Sequence, residues 1–274
     1  MRIGITGGKG FIGSTFKQYM SEKGHEIVDY ECNLSDSVEV ERMFLSLGAP
    51  TVLVHLAGRF SGSTEIIYRD NLLSTHNLLS ALTKYPKVHL VFGSTGAVYG
   101  NSGDRPISEA TICNPNTVNG LVKLFCEQAI TYHKGCSHIE STILRFPSVY
   151  GLKNSKGIIY NWVQGALTNK NIVIHGDGSQ QRSFINVLDI CDALFEVINK
   201  RIIGTYNVSP VEIFDLNILS MLFKEVFSVD ASYEKANNTL ESMVLDSSSL
   251  KAVSKWNPKR ELKEFLESYL DSPL

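Results

Sequence analysis

The sequence predicts an α/β protein with a doubly wound parallel sheet of the Rossmann type and a smaller lobe beside it. Short apolar runs alternate with amphipathic stretches through the first half of the chain, which is typical of parallel strands joined by helices. A turn rich in glycine follows the first apolar run, as in many nucleotide-binding sheets. The chain of 274 residues, 43% of them hydrophobic, is long enough to bury a large core.

Five apolar runs have the length and composition of buried strands, and they are residues 2–6, 26–30, 51–56, 88–93 and 141–145. Between them, four stretches repeat apolar residues near the helical period of 3.6, namely residues 12–23, 38–47, 68–85 and 119–133. A late strand is predicted at 204–208. This alternation indicates a β-α-β-α-β order, with a ligand crevice at the carboxyl ends of the strands.

The turn after the first strand, Gly7-Gly8-Lys9-Gly10-Phe11-Ile12-Gly13, predicts a site for a pyrophosphate. Gly7 permits the tight turn, Gly10 lets the backbone approach the anion, and Gly13 lets the following helix pack closely on the strand. The spacing G-x-x-G-x-x-G departs by one residue from the usual fingerprint, and an ordinary glycine loop is the alternative. Because a strand precedes the turn and a helical pattern follows it, a dinucleotide is favoured.

The composition suggests where the chain divides. After Gly151 it becomes more polar and irregular, and apolar order resumes near Phe184. We therefore expect a dinucleotide-binding domain over residues 1–151, whose sheet is rejoined by about 184–209. Residues 152–183 and 210–274 are expected to form the smaller, substrate-binding lobe.

Composition and charge disfavour several classes of protein. The chain has 26 basic and 28 acidic residues and a net charge of −2 without charged blocks, so we expect no nucleic-acid or membrane partner. The five cysteines are widely spaced and the seven histidines are scattered, so we expect neither a disulfide framework nor a metal site. Since no signal-peptide pattern or membrane-length apolar run is present, we expect a cytoplasmic protein.

Seven segments in one order, from Met1 to about Lys251, together resemble the extended short-chain dehydrogenase/reductase family. Within it they are most similar to the nucleotide-sugar epimerases, dehydratases and reductases. The first segment is the glycine loop. The others are His55-Leu56-Ala57-Gly58, Arg69-Asp70-Asn71-Leu72, Gly93-Ser94-Thr95-Gly96-Ala97-Val98-Tyr99-Gly100, Leu144-Arg145-Phe146-Pro147-Ser148-Val149-Tyr150-Gly151, Gly176-Asp177-Gly178-Ser179-Gln180-Gln181-Arg182-Ser183-Phe184 and Tyr206-Asn207-Val208.

NAD is the expected cofactor. Asp29 ends the second strand, where an acid can accept hydrogen bonds from the adenosine ribose, although Glu31 is an alternative. No arginine follows this strand to bind a 2′-phosphate, which favours NAD while leaving NADP possible. The resemblance implies further cofactor contacts from Gly7, Gly10, Phe11, Ile12, Gly13, Asn33, Leu34, Leu56, Ala57, Gly58, Asn71, Lys123 and Phe146.

Three residues are expected to contact the substrate. By its position in the family pattern, Thr95 matches the hydroxyl residue that bonds a sugar oxygen. Ser148 follows the fifth strand, and Arg182 lies in the polar segment before Phe184. A guanidinium has a fork of donors that suits a diphosphate, so Arg182 is predicted to bind the nucleotide.

The most important departure from the family pattern is Asn119. The family's catalytic tyrosine lies four residues before its lysine, but here Asn119 stands four residues before Lys123. A phenol can exchange a proton with a sugar hydroxyl once its pKa is lowered, whereas a carboxamide does not titrate in the useful range. Tyr99, Tyr150 and Glu109 are possible substitutes.

The predicted function is therefore an NAD-dependent nucleotide-sugar epimerase, dehydratase or 4-keto reductase that transfers hydride at a hexose carbon. In this hypothesis Thr95, Asn119 and Lys123 are the catalytic residues. The alternative is a catalytically impaired member of the same family that binds the cofactor and acts as a regulatory partner. The resemblance also implies a homodimer formed through helices near 68–85 and 119–133.

Overall fold

The computed structural model describes residues 1–101, 106–168, 171–235 and 242–271. Among these residues, a six-stranded parallel sheet forms the centre of the molecule. Its strands are β1 (Arg2–Thr6), β2 (Glu26–Asp29), β3 (Val52–His55), β4 (His89–Thr95), β5 (Ser141–Phe146) and, later in the chain, β9 (Gly204–Asn207). They lie in the spatial order β2-β1-β3-β4-β5-β9.

Helices join and flank these strands. They are α1 (Phe11–Glu22), α2 (Ser37–Leu47), α3 (Thr64–Tyr68), α4 (Ser74–Leu82), α5 (Val118–Ser137), α6 (Ile158–Thr168), α7 (Val187–Asn199), α8 (Leu216–Phe227), α9 (Ser248–Ser254) and α10 (Leu262–Asp271). A π-helical turn, Arg69–Leu73, joins α3 to α4, and a 3₁₀ turn, Gly96–Tyr99, follows β4. Within the described ranges, no helix is both long and apolar enough to cross a bilayer.

The strand order reverses at β1, because β2 pairs with one edge of this strand and β3 with the other. In a doubly wound sheet, the crevice beyond the carboxyl ends of the strands at such a reversal is where ligands bind. The predicted doubly wound parallel sheet is thus confirmed.

Two apolar layers bury the sheet on both faces. On one face, Ile3, Ile5 and Val54 pack in a cluster with side chains of α1 and α7. On the other face, Leu53 and Leu90 pack with side chains of α2, α4 and α5. Neighbouring strand residues belong to opposite layers because side chains alternate along a strand. Burial on both faces explains why these strands are continuous apolar runs in the sequence.

A third apolar cluster fills the lobe, whose strands are β6 (Ser148–Tyr150), β7 (Asn171–His175), β8 (Gln181–Asn186), β10 (Ile213–Asp215) and β11 (Asp230–Glu234). In the described chain, β10, β8 and β6 form a three-stranded sheet, while β11 pairs with β7. Trp162, Phe184 and Phe223 belong to the cluster between them. The lobe therefore has a core of its own, beside the carboxyl edge of the main sheet.

Helix starts show a local difference that bears on the site. Asp36, Thr117, Asn186 and Asp215 cap α2, α5, α7 and α8, since each side chain accepts a hydrogen bond from a backbone amide of the first turn. Helix α1 instead begins after Gly10, which has no side chain to cap it. Its first amides remain available to an anion.

Two element boundaries differ from the sequence pattern. The helix between β3 and β4 begins at Thr64 rather than near residue 68, because the Ser63 side chain caps it by accepting from the Ile66 amide. Strand β4 continues to Thr95, because Gly93 and Ser94 still pair with β5. The longer β4 carries Thr95 to the crevice.

Two buried histidines link the strands to their surroundings. His55 Nδ1 lies 2.6 Å from Thr6 Oγ1, and its Nε2 lies 3.1 Å from Thr75 Oγ1. His89 Nε2 lies 2.7 Å from Thr142 Oγ1. Burial lowers the pKa of His55 to about 3 and that of His89 to about 4. Both rings are therefore neutral in the folded protein at neutral pH.

These histidines predict a loss of stability in mild acid. Their folded pKa values lie below the ordinary 6.5, so the unfolded chain binds protons more tightly and stability falls as the pH drops below 6.5. At pH 5.5, we expect each histidine to cost about 1.4 kcal/mol of unfolding free energy relative to pH 7 or above. Urea titrations at pH 7 and 5.5 measure this loss.

The matched variants are His55→Gln and His89→Gln, each of which should reduce the difference between the two pH values by about 1.4 kcal/mol. His138→Asn, at an exposed helix end, should leave that difference unchanged. An unaltered difference in both buried variants would mean that other groups cause the acid sensitivity.

Candidate active site

One cavity of about 500 Å³ opens at the strand reversal. Its walls come from the loop after β1 with the start of α1, the loop after β3, the carboxyl ends of β4 and β5, α5, β6 and the segment after β6. The described lining residues are Gly7, Gly10, Phe11, Ile12, Gly13, Leu56, Gly58, Phe60, Gly93, Ser94, Thr95, Lys123, Phe146, Pro147, Val149, Asn154, Ser155 and Lys156. We call this cavity the central pocket.

The glycine loop is shaped by contacts that a side chain would prevent. Gly7 has φ of +74°, and a Cβ there would lie 2.6 Å from the Ala57 backbone nitrogen. A Cβ on Gly13 would lie 2.2 Å from the Gly7 carbonyl oxygen. The loops after β1 and β3 therefore touch through backbone, and α1 packs closely on the turn. This leaves the amino end of α1 facing the pocket, as a pyrophosphate requires.

Asp29 lies behind the glycine loop with one oxygen unused. Lys17 donates to its Oδ2, while its Oδ1 is buried without a hydrogen-bond partner among the described residues. A Cβ on Gly8 would lie 2.2 Å from this Oδ1. A buried acceptor without a donor calls for one, and a ribose hydroxyl is a donor that would fit. Glu31, the alternative acid, pairs with Lys9 at 2.6 Å.

Asn33 and Leu34 lie away from the lining of the central pocket. The Asn33 side chain accepts hydrogen bonds from the amide and hydroxyl of Ser35, at 3.2 and 2.7 Å, and so shapes the turn before α2. Leu34 is buried in the core, and its carbonyl accepts from Asn77 Nδ2 at 3.0 Å. A cofactor contact at either position remains a prediction.

Asn71 holds the loop after β3 from behind. Its Nδ2 donates to the carbonyls of Arg59 and Ile67, each at 2.8 Å, and its Oδ1 accepts from the Arg59 amide at 3.3 Å. It lies in the π-helical turn, a feature often found at functional sites. A Cβ on Gly58 would lie 2.6 Å from Asn71 Oδ1 and 3.5 Å from Lys123 Nζ. Asn71 thus fixes the pocket wall nearest Lys123.

Lys123 is a buried cation on α5. Its Nζ donates to the Gly93 carbonyl at 2.9 Å and lies 4.4 Å from the centre of the Phe92 ring. Burial lowers the pKa of Lys123 to about 8, because no carboxylate pairs with it among the described residues. The ammonium is therefore held in place and remains able to donate to a ligand hydroxyl.

Thr95 ends β4 and lines the central pocket, whereas Asn119 lies in the first turn of α5 and does not belong to the described lining. A Cβ on Gly120 would lie 2.3 Å from the Ala97 carbonyl oxygen, so α5 begins directly against the turn that follows Thr95. Thr95 Oγ1 accepts from the Ala97 amide at 3.2 Å, which leaves its hydroxyl hydrogen free to donate. Asn119 is half-buried one helical turn before Lys123.

Tyr99, a suggested substitute for the phenol of the family pattern, is engaged elsewhere in the structure. It is 1% exposed, and its hydroxyl donates to Asn207 Oδ1 and accepts from Arg145 Nη1, both at 2.7 Å. Burial raises the pKa of Tyr99 despite the nearby Arg145. The phenol is a structural link between strands.

Glu109 and Tyr150 are also engaged elsewhere. Glu109 accepts from the Asn207 amide at 2.8 Å and from Ser249 Oγ at 3.0 Å. Tyr150 is buried in the lobe, and burial raises its pKa. The structure brings none of the three suggested substitutes into the lining of the central pocket.

Arg182 and Ser148 lie on the lobe sheet. Ser148 is exposed and pairs in register with Phe184, two residues beyond Arg182. Arg182 Nη2 is buried and has no hydrogen-bond partner among the described residues, and burial lowers the pKa of this guanidinium. Leaving this buried nitrogen without an acceptor costs free energy unless an anion binds there.

Sequence reasoning missed several lining residues, notably Phe60, Pro147, Asn154, Ser155 and Lys156. Phe60 is 64% exposed, and its ring centre lies 6.0 Å from Lys123 Nζ. The sequence signal that could have identified Phe60 is its aromatic side chain two positions after Gly58. The only sequence signal of the segment ending in Lys156 is its polar composition. That composition does not predict that the segment folds back to line the pocket.

The fold and the glycine cradle define a dinucleotide-binding protein of the Rossmann class. More specifically, the profile of the NAD dependent epimerase/dehydratase family matches residues 3–209, and the chain belongs to this family. This confirms the resemblance seen in the sequence. Among the described residues, no group of His, Cys, Asp and Glu is arranged to hold a metal ion.

Curated relatives agree with this assignment, and solved structures share the fold. A putative UDP-glucose 4-epimerase of Methanocaldococcus jannaschii is 28% identical, over 95% of this chain and 94% of the relative. UDP-glucuronic acid decarboxylase 1 of Arabidopsis thaliana is 26% identical, over 97% of this chain and 68% of the relative. UDP-glucose 4-epimerase of Thermus thermophilus, in complex with NAD, has a TM-score of 0.89 at 24% identity and covers 100% of both chains.

The glycine cradle predicts a sharp effect of one methyl group. In Gly8→Ala, the new Cβ would meet the Asp29 carboxylate at 2.2 Å and displace the acceptor proposed for the ribose. We expect NAD affinity to fall by at least about tenfold, the scale of one lost hydrogen bond to a charged group. Fluorescence titration with NADH and calorimetry with NAD measure it.

Gly135→Ala is the matched control, because a Cβ there has nothing within 4 Å. It should leave cofactor affinity unchanged and stabilise α5 by up to about 1 kcal/mol. Equal affinities of Gly8→Ala and the unsubstituted protein would contradict the assigned role of Asp29.

Proposed function

We propose that this protein is an NAD-dependent enzyme that transfers hydride at a carbon of a nucleotide-linked hexose. The observation that carries the proposal is the central pocket, which joins the glycine cradle, Thr95 and Lys123 around one cavity of about 500 Å³. The orphaned oxygen of Asp29 and the backbone contacts at Gly7 and Gly13 fit a dinucleotide. NAD would accept or supply the hydride.

Each side chain then has a distinct task. The amino end of α1 and Asp29 would bind the pyrophosphate and the adenosine ribose. Lys123 would donate to a ribose hydroxyl and so orient the nicotinamide end. Thr95 has a free hydroxyl hydrogen for the reacting sugar oxygen, and Asn119 has an amide that can donate to the same oxygen.

The substrate class follows from the lobe. Arg182 has a buried, unpaired Nη2, and a guanidinium binds phosphate oxygens in a bidentate manner. Ser148 is exposed at the neighbouring end of the same sheet. The relatives include a putative UDP-glucose 4-epimerase and several UDP-glucuronic acid decarboxylases, which supports a nucleotide diphosphate sugar as the substrate. In this proposal residues 1–151 bind the cofactor, and the lobe binds the nucleoside diphosphate of the substrate.

A second candidate is a cofactor-binding protein without turnover. Asn119 favours it, because the phenol of the family pattern is missing and Tyr99, Tyr150 and Glu109 are engaged elsewhere. Loss of a positioned acid or base costs about 10² to 10⁴ in rate, which lowers activity without abolishing it. The unpaired Arg182 weighs against this candidate, since a protein that binds only the cofactor has no use for it.

Turnover with defined sugars tests the proposal. Purified protein is incubated with NAD or NADH and a panel of UDP-, dTDP- and GDP-hexoses with their 4-keto derivatives, and products are identified by mass and chromatography. We expect one nucleotide class to give an epimer, a dehydrated sugar or a reduced sugar well above the blank. Tight cofactor binding with every sugar returned unchanged would favour the second candidate.

Arg182→Met serves as the internal check of that experiment. It should weaken binding of UDP or dTDP at least about tenfold, because a bond to a charged group is lost, while NAD binding stays the same. Arg42→Met, at an exposed position of α2, should change neither affinity.

We also propose a homodimer and a cytoplasmic location. A groove runs between α5 and the helical segment made of α3, the π-helical turn and α4. It is lined by Tyr68, Arg69, Leu72, Leu73, His76 and Ala129, and Leu73 is 42% exposed. Such a face suits a second copy arranged about a two-fold axis.

The cysteines support the cytoplasmic location. They are free, which suits a reducing compartment.

The mass in solution tests the dimer. Light scattering at micromolar concentration should give twice the chain mass of 30.4 kDa. Tyr132 is 70% exposed on α5, three residues after the groove residue Ala129. Leu73→Glu combined with Tyr132→Glu therefore places two charges at or beside the groove and should give a monomer with unchanged circular dichroism. A monomeric mass for the unsubstituted protein would contradict the proposed dimer.

A further inference from the structure

We propose that Lys123 takes over the proton exchange that a phenol performs in the family pattern, so that its ammonium group is the proton source for reduction of a keto sugar. This inference rests on the proposed function and adds the identity of the proton donor. The argument starts from the lining of the central pocket, where a donor must lie.

The lining offers few titratable groups. Among its described residues there is no aspartate, glutamate, histidine, cysteine or tyrosine, and the titratable ones are Lys123 and Lys156. Lys156 is exposed at the mouth of the pocket, whereas Lys123 is 3% exposed at its inner end. Asn119 is not part of this lining, and its carboxamide can donate a hydrogen bond but does not titrate in the useful range.

Lys123 is positioned to use its remaining hydrogens. One N–H donates to the Gly93 carbonyl at 2.9 Å, and an ammonium has three donors. The Phe92 ring lies on one side at 4.4 Å, and the exposed Phe60 ring lies at 6.0 Å. The remaining N–H groups of Lys123 can therefore donate into the central pocket. Phe60 lies where it can limit the access of water.

The groups that surround Lys123 leave its charge unbalanced. His55 on β3 is neutral because burial lowers its pKa to about 3. Cys126 on α5 is a thiol whose pKa is raised by burial. Glu127, also on α5, is committed to Arg145, with 2.6 Å between Oε2 and Nη2. Without a carboxylate partner, the pKa of Lys123 falls to about 8 by desolvation.

The protonated form of Lys123 favours reduction over oxidation near neutral pH. Hydride from a reduced nicotinamide adds to the carbonyl carbon, the C=O π electrons move to oxygen, and an N–H bond of Lys123 breaks as the O–H bond forms. The neutral amine then regains a proton from solvent. An ammonium with a pKa near 8 is mostly protonated at pH 7 and is a matched general acid. The reverse oxidation requires the amine form.

The decisive experiment measures reduction of dTDP-4-keto-6-deoxyglucose and UDP-4-keto-6-deoxyglucose by NADH between pH 6 and 10. We expect kcat/KM to be level below pH 8 and to fall about tenfold per unit above it, because the ammonium form is lost. In Lys123→Arg, the cation is kept but cannot release its proton. This variant should reduce the sugar at least about 100-fold more slowly and without a break near pH 8.

A readout without turnover accompanies it. Competitive acetylation of the unsubstituted protein, followed by mass spectrometry across the same pH range, reports when each lysine loses its proton. Lys123 should become reactive near pH 8, and the exposed Lys134 on the same helix is the reference lysine. NADH fluorescence should give Lys123→Arg an affinity within about tenfold of the unsubstituted protein, and Lys134→Arg should keep the full pH profile.

The outcomes separate the two proposals. Turnover with a pH break that persists in Lys123→Arg, or a Lys123 that titrates above pH 10, would overturn Lys123 as the donor while leaving the proposed function intact. If the unsubstituted protein binds NADH and reduces neither sugar, nor any sugar of the panel, the proposed function is wrong and the inference is wrong with it.

Discussion

The buried ion pair between Glu127 and Arg145 is the interaction on which the rest of the site depends. Glu127 lies on α5 and Arg145 on β5, both under 10% exposed, with 2.6 Å between Oε2 and Nη2. Ser94 on β4 donates to the same carboxylate. Arg145 also donates to Tyr99, which in turn donates to Asn207 on β9. Removing one partner of such a pair typically costs about 3 to 5 kcal/mol, since the other charge stays buried.

This network connects three neighbouring strands at their carboxyl ends to the helix that carries the functional side chains. Thr95 follows Ser94 directly, and Lys123 lies one turn before Glu127 on α5. Because Gly120 contacts the Ala97 carbonyl, α5 cannot slide along the sheet without breaking this contact. The relative positions of Thr95 and Lys123 are therefore set largely by side chains outside the pocket lining, namely Glu127, Arg145, Tyr99 and Asn207, together with Ser94, which lines it.

Two cations, Lys123 in the central pocket and Arg182 on the lobe sheet, contrast with that paired centre. Lys123 is buried, Arg182 is half-buried with a buried Nη2, and neither has a carboxylate partner among the described residues. Burying an unpaired charge costs free energy. A stable protein therefore retains such a charge where a bound ligand compensates for that free energy. Lys123 faces the central pocket, and Arg182 lies on the lobe sheet. The arrangement suits a ligand that brings hydroxyl groups to one and phosphate oxygens to the other.

Much of the site could be predicted from local sequence. The glycines after β1 and the residues Leu56, Gly58 and Thr95 follow buried strands, and parallel strands bring their carboxyl ends to one edge. The segment that ends in Lys156, and Phe60, could not be predicted to line the pocket, because an irregular segment has no periodicity that reveals its path. The engagement of Tyr99 was also hidden, since its partners Arg145 and Asn207 are distant in sequence.

The sequence by itself determined the alternation of strands and helices, the glycine cradle and the presence of Asn119 four residues before Lys123, because period, turn chemistry and residue identity are local properties. Only the tertiary structure decided which charges are paired and which are not. Glu127 and Lys123 stand four positions apart on one helix, yet one is neutralised by a strand residue and the other is left facing a cavity. Pairing and desolvation depend on groups brought together from distant parts of the chain, and no local pattern records them.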